Sequence, residues 1–202
     1  MGKLDYVEAG TMKKSAETSQ QLHPLLQERW SPRAFDEAYS IPEADLTAIL
    51  EAGRWSPSSN NFQPWRFIVG KRGGENFQAI TESLKGFNKE WAPRASVYLV
   101  LNAVMTDGSG NPRPVSLYDL GIASAFMTLE ANHRGLAVHQ VGGFEAEMLR
   151  SKFNLGEEIK PVSILVIGKQ ADAESLNQEE LIGREKSSRS RKDFSELVIS
   201  SD

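Results

Sequence analysis

In ERWSPRAF, residues 28–35, Arg29, Ser31 and Arg33 stand at alternate positions. Alternate side chains of an extended segment share one side. Two guanidinium groups and a hydroxyl can then converge on one anion, and the planar fork of arginine matches the oxygens of a phosphate. A solvated surface stretch would have the same composition. A second basic run, GREKSSRSRK at 183–192, has five Lys or Arg in ten residues. It reads as a solvated tail, a nucleic-acid patch or a phosphate clamp. Gly142 and Gly143 in QVGGF follow a strand-like run. With no Cβ in the way their backbone can come close to a ligand, although a tight turn asks for the same pair. RWSPSSNNFQPWRF, 54–67, is the most unusual stretch. Ser58, Ser59, Asn61 and Gln63 offer donors and acceptors, while Trp55, Phe62, Trp65 and Phe67 offer flat apolar walls. A planar heterocycle with a polar rim and a charged tail needs both sets. A helix-to-strand connection with core aromatics would also account for them.

Several other chemistries are missing. The chain lacks cysteine, which removes disulfides, thiolate metal sites and cysteine nucleophiles. There is no phosphate-binding G-x-x-x-x-G-K-[ST] loop and no G-x-G-x-x-G dinucleotide fingerprint. His23, His133 and His139 are scattered without metal-ligand spacing and read as structural. A net charge of −4 gives no overall reason to expect nucleic-acid or membrane binding. No apolar run reaches the ~18–20 residues of a membrane span. The N-terminus has neither the apolar centre of a secretory signal nor a good myristoylation pattern. The expectation is a cytoplasmic protein that binds neither nucleic acid nor membrane.

The elements that must position these residues follow from periodicity. Residues 1–20 are polar and aperiodic and read as a flexible tail, with a single domain over 21–202. SIPEADLTAILEAGRW predicts a helix: Ser40 and Glu43 have capping-box spacing, Pro42 suits a first turn, and Leu46, Ile49, Leu50 and Gly53 make one stripe. Strands are expected at 65–71, 95–103 and 160–169, with another in LAVHQV. Helices are expected in ENFQAITESLKGFN, in EAEMLRSKFNL and over 117–135, the last ending at Gly135. Residues 105–116 read as a flexible loop, and the chain beyond 169 as a polar tail. Interleaved strands and helices give an α+β (α/β-like) class.

In order, RWSPRAFD, IPEADLTAILEAGRWSPSSNNFQPWRFIV, DLGIASAFMTLEANHRGLAVHQVGGF, KPVSILVIGK and RSRKDFSELV resemble the nitroreductase family of FMN-dependent oxidoreductases, over roughly residues 24–198. The resemblance implies a mixed central sheet flanked by helices and an intertwined homodimer with two FMN sites at the subunit interface. It places Arg29, Ser31 and Arg33 on the FMN phosphate and the flavin's polar edge. Pro57, Ser58, Ser59 and Asn61 match a loop that reaches the flavin in part from the other subunit, and Gln63 belongs to the same motif. Gly142 and Gly143 match the loop whose backbone N–H faces flavin N5, and Asn88 lies near a flavin-contacting position. Arg189 and Arg191 match a basic pair on the phosphate, with Lys192 the alternative to Arg191 if the register shifts by one.

The activity implied is a ping-pong transfer of hydride from NAD(P)H through flavin N5 to a small electrophilic acceptor such as a nitroaromatic or quinone. No amino acid is expected to be catalytic in its own right, because the cofactor carries the redox chemistry. The segment through residues 104–116 is expected to shape the acceptor pocket. A branch that fragments flavin or dehalogenates, and a non-catalytic FMN-binding protein, are the other readings.

Overall fold

The computed structural model describes residues 12–201; residues 1–11 of the expected tail lie outside the described residues. The elements run α1 (Pro24–Glu28), α2 (Glu43–Arg54), β1 (Trp65–Lys71), α3 (Glu75–Ser83), α4 (Asn88–Trp91), β2 (Val97–Val104), α5 (Val115–His133), β3 (Ala137–Val141), α6 (Ala146–Lys152), β4 (Ile159–Gly168), α7 (Glu179–Lys186) and α8 (Phe194–Leu197). The α+β class with a helix-flanked sheet is as expected. The strand order is β1-β2-β4-β3, and all three pairings are antiparallel where a mixed sheet was expected. Strand direction was hidden because β2 is buried on both faces. Its unbroken apolar run looks the same whichever way its neighbours point.

Two helical layers cover this sheet. Tyr98, Val100, Ile164 and Val166 face one cluster with Phe35, Ile80, Trp91 and Leu149. Leu99, Leu101, Leu165 and Ile167 face the other, with Leu46 and Ile49 of α2 and Ala123 and Met127 of α5. Gly53 lets α2 and α5 approach closely, since a Cβ there would lie 2.7 Å from Met127 Sδ. α5 stops in the way its sequence suggests. Gly135 takes φ +71°, Leu136 N–H donates to Ala131 O at 2.9 Å, and Gly135 N–H donates to Asn132 O at 3.0 Å, a Schellman arrangement. Among the described residues no helix is long and apolar enough to cross a membrane.

Three local expectations change. The capping box is not formed, because Pro42 occupies the N-cap and Ser40 lies outside the helix. The helix begun at Glu75 ends at Ser83: Leu84 turns out to bridge Phe144, and Gly86 at φ +54° redirects the chain before α4. The region beyond 169 is not simply a polar tail. α7 buries Leu181 and Glu185 against the domain, and α8 follows it.

Candidate functional site

The segment holding Arg29, Ser31 and Arg33 lies along β3 and is fastened from two sides. His139 Nδ1 is 2.9 Å from Pro32 O. A carbonyl only accepts, so Nδ1 carries the proton. Burial pushes this imidazole down to about 4, so it is neutral at neutral pH. From the other side comes Glu185 of α7, 1% exposed. Its carboxylate accepts from Arg33 N–H at 2.9 and 3.0 Å and from Ala34 N–H at 3.2 Å, with Arg33 Nη1 at 3.9 Å. Burial raises the Glu185 pKa, against the pull of these donors. Glu185 therefore ties the C-terminal basic run to the first motif.

The outcome is a crowd of like charges. Arg29 donates weakly to Ser31 Oγ at 3.4 Å and, among the described residues, forms no ion pair. Burial lowers its pKa, and the charges of Arg189 and Arg191 lower it further. Burial lowers Arg33 as well, with Glu185 opposing the shift and Arg184 adding to it. Lys14 is also lowered by burial; Glu185 opposes this, while Arg33 and Arg189 add to it. Arg189 Nη1 donates to Lys14 O at 2.6 Å and to Gln27 O at 3.1 Å, whereas Arg191 is exposed and bonds its neighbour Ser190 O. Lys192 pairs with Glu196 at 3.4 Å. Arg191 is among the charges that lower Arg29. Cations gathered in this way favour an anion beside them.

The glycine loop directly follows β3, the strand that carries His139. Gly143 O accepts from Lys85 N–H at 2.9 Å and from Asn88 Nδ2 at 3.2 Å. A Cβ on Gly143 would lie 2.9 Å from Asn88 Nδ2, while Gly142 faces open space. Trp91 of α4 packs on His139 with ring centroids 4.5 Å apart. Through Trp91 and His139, the segment carrying Asn88 and the glycine pair is linked to Pro32 of the first motif.

Pro57, Ser58, Ser59, Asn61 and Gln63 are not brought to it within one chain. Their loop sits at the start of α5, where both carboxylate oxygens of Asp119 accept from Ser59 N–H at 3.2 Å. Arg29, Trp30 and Pro32 instead line a cavity of about 70 Å³ with Asn132, Gly135 and Leu136 at the far end of α5. At ~1.5 Å per residue, Asp119 and Asn132 are roughly 20 Å apart. The loop is tightly specified. Asn60, Asn61 and Gln63 have φ of 52°, 54° and 52°, Gln63 N–H donates to Ser58 Oγ at 3.0 Å, and Arg113 lies 4.0 Å over the Phe62 ring. Asn visits this left-handed region readily, but Gln63 is strained there by ~1–2 kcal/mol. Trp65 begins β1 inside the core and Trp55 is 74% exposed, so these two aromatics are not walls of one pocket in the single chain.

Asp119, Arg113, Glu185 and Lys14 were not singled out from sequence. Asp119 had a visible signal, an acid on the buried stripe of an otherwise apolar helix, and is 2% exposed. The other three had none, lying in polar stretches without period.

The chain matches the model of the Nitroreductase family over residues 26–85, which takes in the first motif, α2, the Ser58–Gln63 loop and β1. A crystal structure described as an oxidoreductase containing FMN superposes with a TM-score of 0.81 at 30% identity, covering 89% of this chain and 92% of that one. The chain belongs to the nitroreductase family. A Bacillus subtilis protein provisionally named an NAD(P)H nitroreductase, YdgI, is 27% identical over 187 residues, 73% of this chain and 88% of that protein. An oxygen-insensitive NADPH nitroreductase of Helicobacter pylori is 38% identical over 77 residues, covering 38% of this chain and only 36% of its own length. The family match includes Arg29 through Gln63, while Asn88, the glycine pair and the C-terminal arginines lie beyond it.

Proposed function

We propose that this nitroreductase-family chain is an FMN-dependent oxidoreductase that passes hydride from NAD(P)H to a small electrophilic acceptor. The observation that carries the reading is the gathering of cations around the first motif: half-buried Arg29 feels the charges of Arg189 and of the exposed Arg191, and half-buried Arg33 that of Arg184. A phosphate dianion relieves that repulsion, each charge-assisted contact being worth ~1.5–3 kcal/mol. Arg29, Arg33 and Arg191 are suited to hold the phosphate and Ser31 a neighbouring polar group. The backbone at Gly142 and Gly143 and the amide of Asn88 would meet the ring edge. The flavin, when bound, supplies the two-electron chemistry; the chain binds it, orients it and shields it from water.

The working unit we infer is a homodimer. Ser58, Ser59 and Asn61 stand roughly 20 Å along α5 from the cations of their own chain, so a loop from a second copy would complete each site. The outer face of α5 supports this. Val115, Tyr118, Ile122 and Phe126 make an apolar stripe, with Tyr118 71% and Phe126 43% exposed. A two-fold contact through this face repeats the site on both subunits.

Purified protein is expected to be yellow, with one FMN per chain after denaturation, and to oxidise NADH or NADPH when a quinone or nitroaromatic is added. Parallel lines in initial-rate plots would mark the ping-pong order. Colourless protein that cannot be reconstituted with FMN would refute the reading.

A further inference from the structure

Residues 12–16 precede the stretch matched by the family model, yet they are woven into the basic cluster. Gln170 Nε2 donates to Met12 O at 2.9 Å, and Ala16 N–H donates to Gln27 O at 2.8 Å. Ser15 Oγ donates to the Glu28 carboxylate at 2.7 and 2.8 Å. Arg189 spends its Nη1 on Lys14 O and Gln27 O, and in return Lys14 Nζ donates to Ser187 O at 2.7 Å. The ammonium lies 4.4 Å over the Trp30 ring. The strap therefore does two things. It anchors the C-terminal arginine segment, and it carries a cation to the edge of the Arg29–Arg33 motif.

Lys14 stands among charges of both signs. Lys14 is near Arg33 and Arg189, and the acid in its neighbourhood, Glu185, already accepts the N–H groups of Arg33 and Ala34. An ammonium has three donors; among the described residues Ser187 O takes one, and the others are of the kind that anion oxygens accept. It acts as a compact point charge beside the bidentate forks of arginine.

We propose that Lys14 is a further binding residue for the cofactor's phosphate, delivered by the Met12–Ala16 strap. This rests on the reading of the basic cluster as the FMN phosphate site. Lys14→Gln removes the charge and the Nζ bond to Ser187 O but leaves the backbone anchors of the strap, the Met12 and Lys14 carbonyl oxygens. Lys152→Gln removes an equal charge from the exposed face of α6, outside the cavity that Lys13 and Arg29 line. Apo-protein is titrated with FMN and with riboflavin, which has the same ring and ribityl chain but no phosphate. Lys14→Gln is expected to weaken FMN about tenfold or more, with riboflavin and the Lys152→Gln variant within twofold of wild type. The salt dependence of FMN binding should also become shallower. Unchanged FMN affinity would overturn the proposal, as would equal weakening of FMN and riboflavin, which marks a purely structural strap. Wild-type protein with no preference for FMN over riboflavin would overturn the phosphate reading of the whole cluster, and Lys14's role with it.

Discussion

Glu185→Ala gives the most direct test of how the basic run is held to the first motif. The carboxylate is almost fully buried, and its loss strands two backbone donors, Arg33 N–H and Ala34 N–H. Each unsatisfied buried donor costs ~1–3 kcal/mol. Part of this is recovered because an ionised group no longer has to be desolvated. The net loss is about 2–4 kcal/mol, and at ~2–4 °C per kcal/mol for a chain of this size, Tm falls by roughly 5–15 °C. Glu185→Gln keeps one oxygen where Oε1 now accepts from both N–H groups, at 3.0 and 3.2 Å, and should cost ~1 kcal/mol. The pH dependence separates the two terms. Burial raises the folded pKa of Glu185 above its ordinary 4.5. The stability linked to its protonation is complete below the unfolded value and is lost as pH rises through the folded one. Wild type should therefore gain on Glu185→Gln as pH falls from 7 toward 4.5. Thermal melts across that window read both effects. An alanine variant melting within a degree or two of wild type would refute the argument, since it would mean that water reaches these amides.

Arg29→Ala should weaken FMN by roughly 10–150-fold, the equivalent of one charge-assisted contact, while melting of the apo-protein changes little; dialysis against buffer and flavin quantification check it. Gly143→Ala should displace the Asn88 amide and cost ~0.5–1.5 kcal/mol, whereas Gly142→Ala, with open space at its Cβ, should be near neutral; paired denaturant melts decide. Phe126→Glu places a charge in the exposed stripe of α5 and should shift the protein to monomer in sedimentation, with loss of bound flavin.

Much of the scaffold was legible because its signals are periodic. β1 occupies the expected 65–71, α2 buries the expected Leu46, Ile49 and Gly53, and Gly135 ends α5 through its left-handed turn. What was not legible depends on single contacts across long separations. Nothing in GREKSSRSRK marks its acid, Glu185, as buried, because the reason for its burial is two amides 151 and 152 residues earlier. Ser58 and Ser59 read as donors and acceptors for a ligand. Ser58 Oγ also braces Gln63 N–H, and Ser59 N–H is already held by Asp119. Their distance from Arg29 is a property of α5's length and of which end each segment packs on, and no local pattern encodes it.

The clasp between Arg189 and the Lys14 carbonyl also bears on how the molecule is made. It joins residues 175 apart. Contacts of such separation close late, after the local helices and hairpins have formed. On a ribosome the first motif and α2 emerge long before their C-terminal partner, so the cations have no shared site during most of synthesis. The full basic cluster comes into being only when nearly the whole chain is free, so with the proposed phosphate role cofactor capture would be a late event of maturation rather than a nucleus for it.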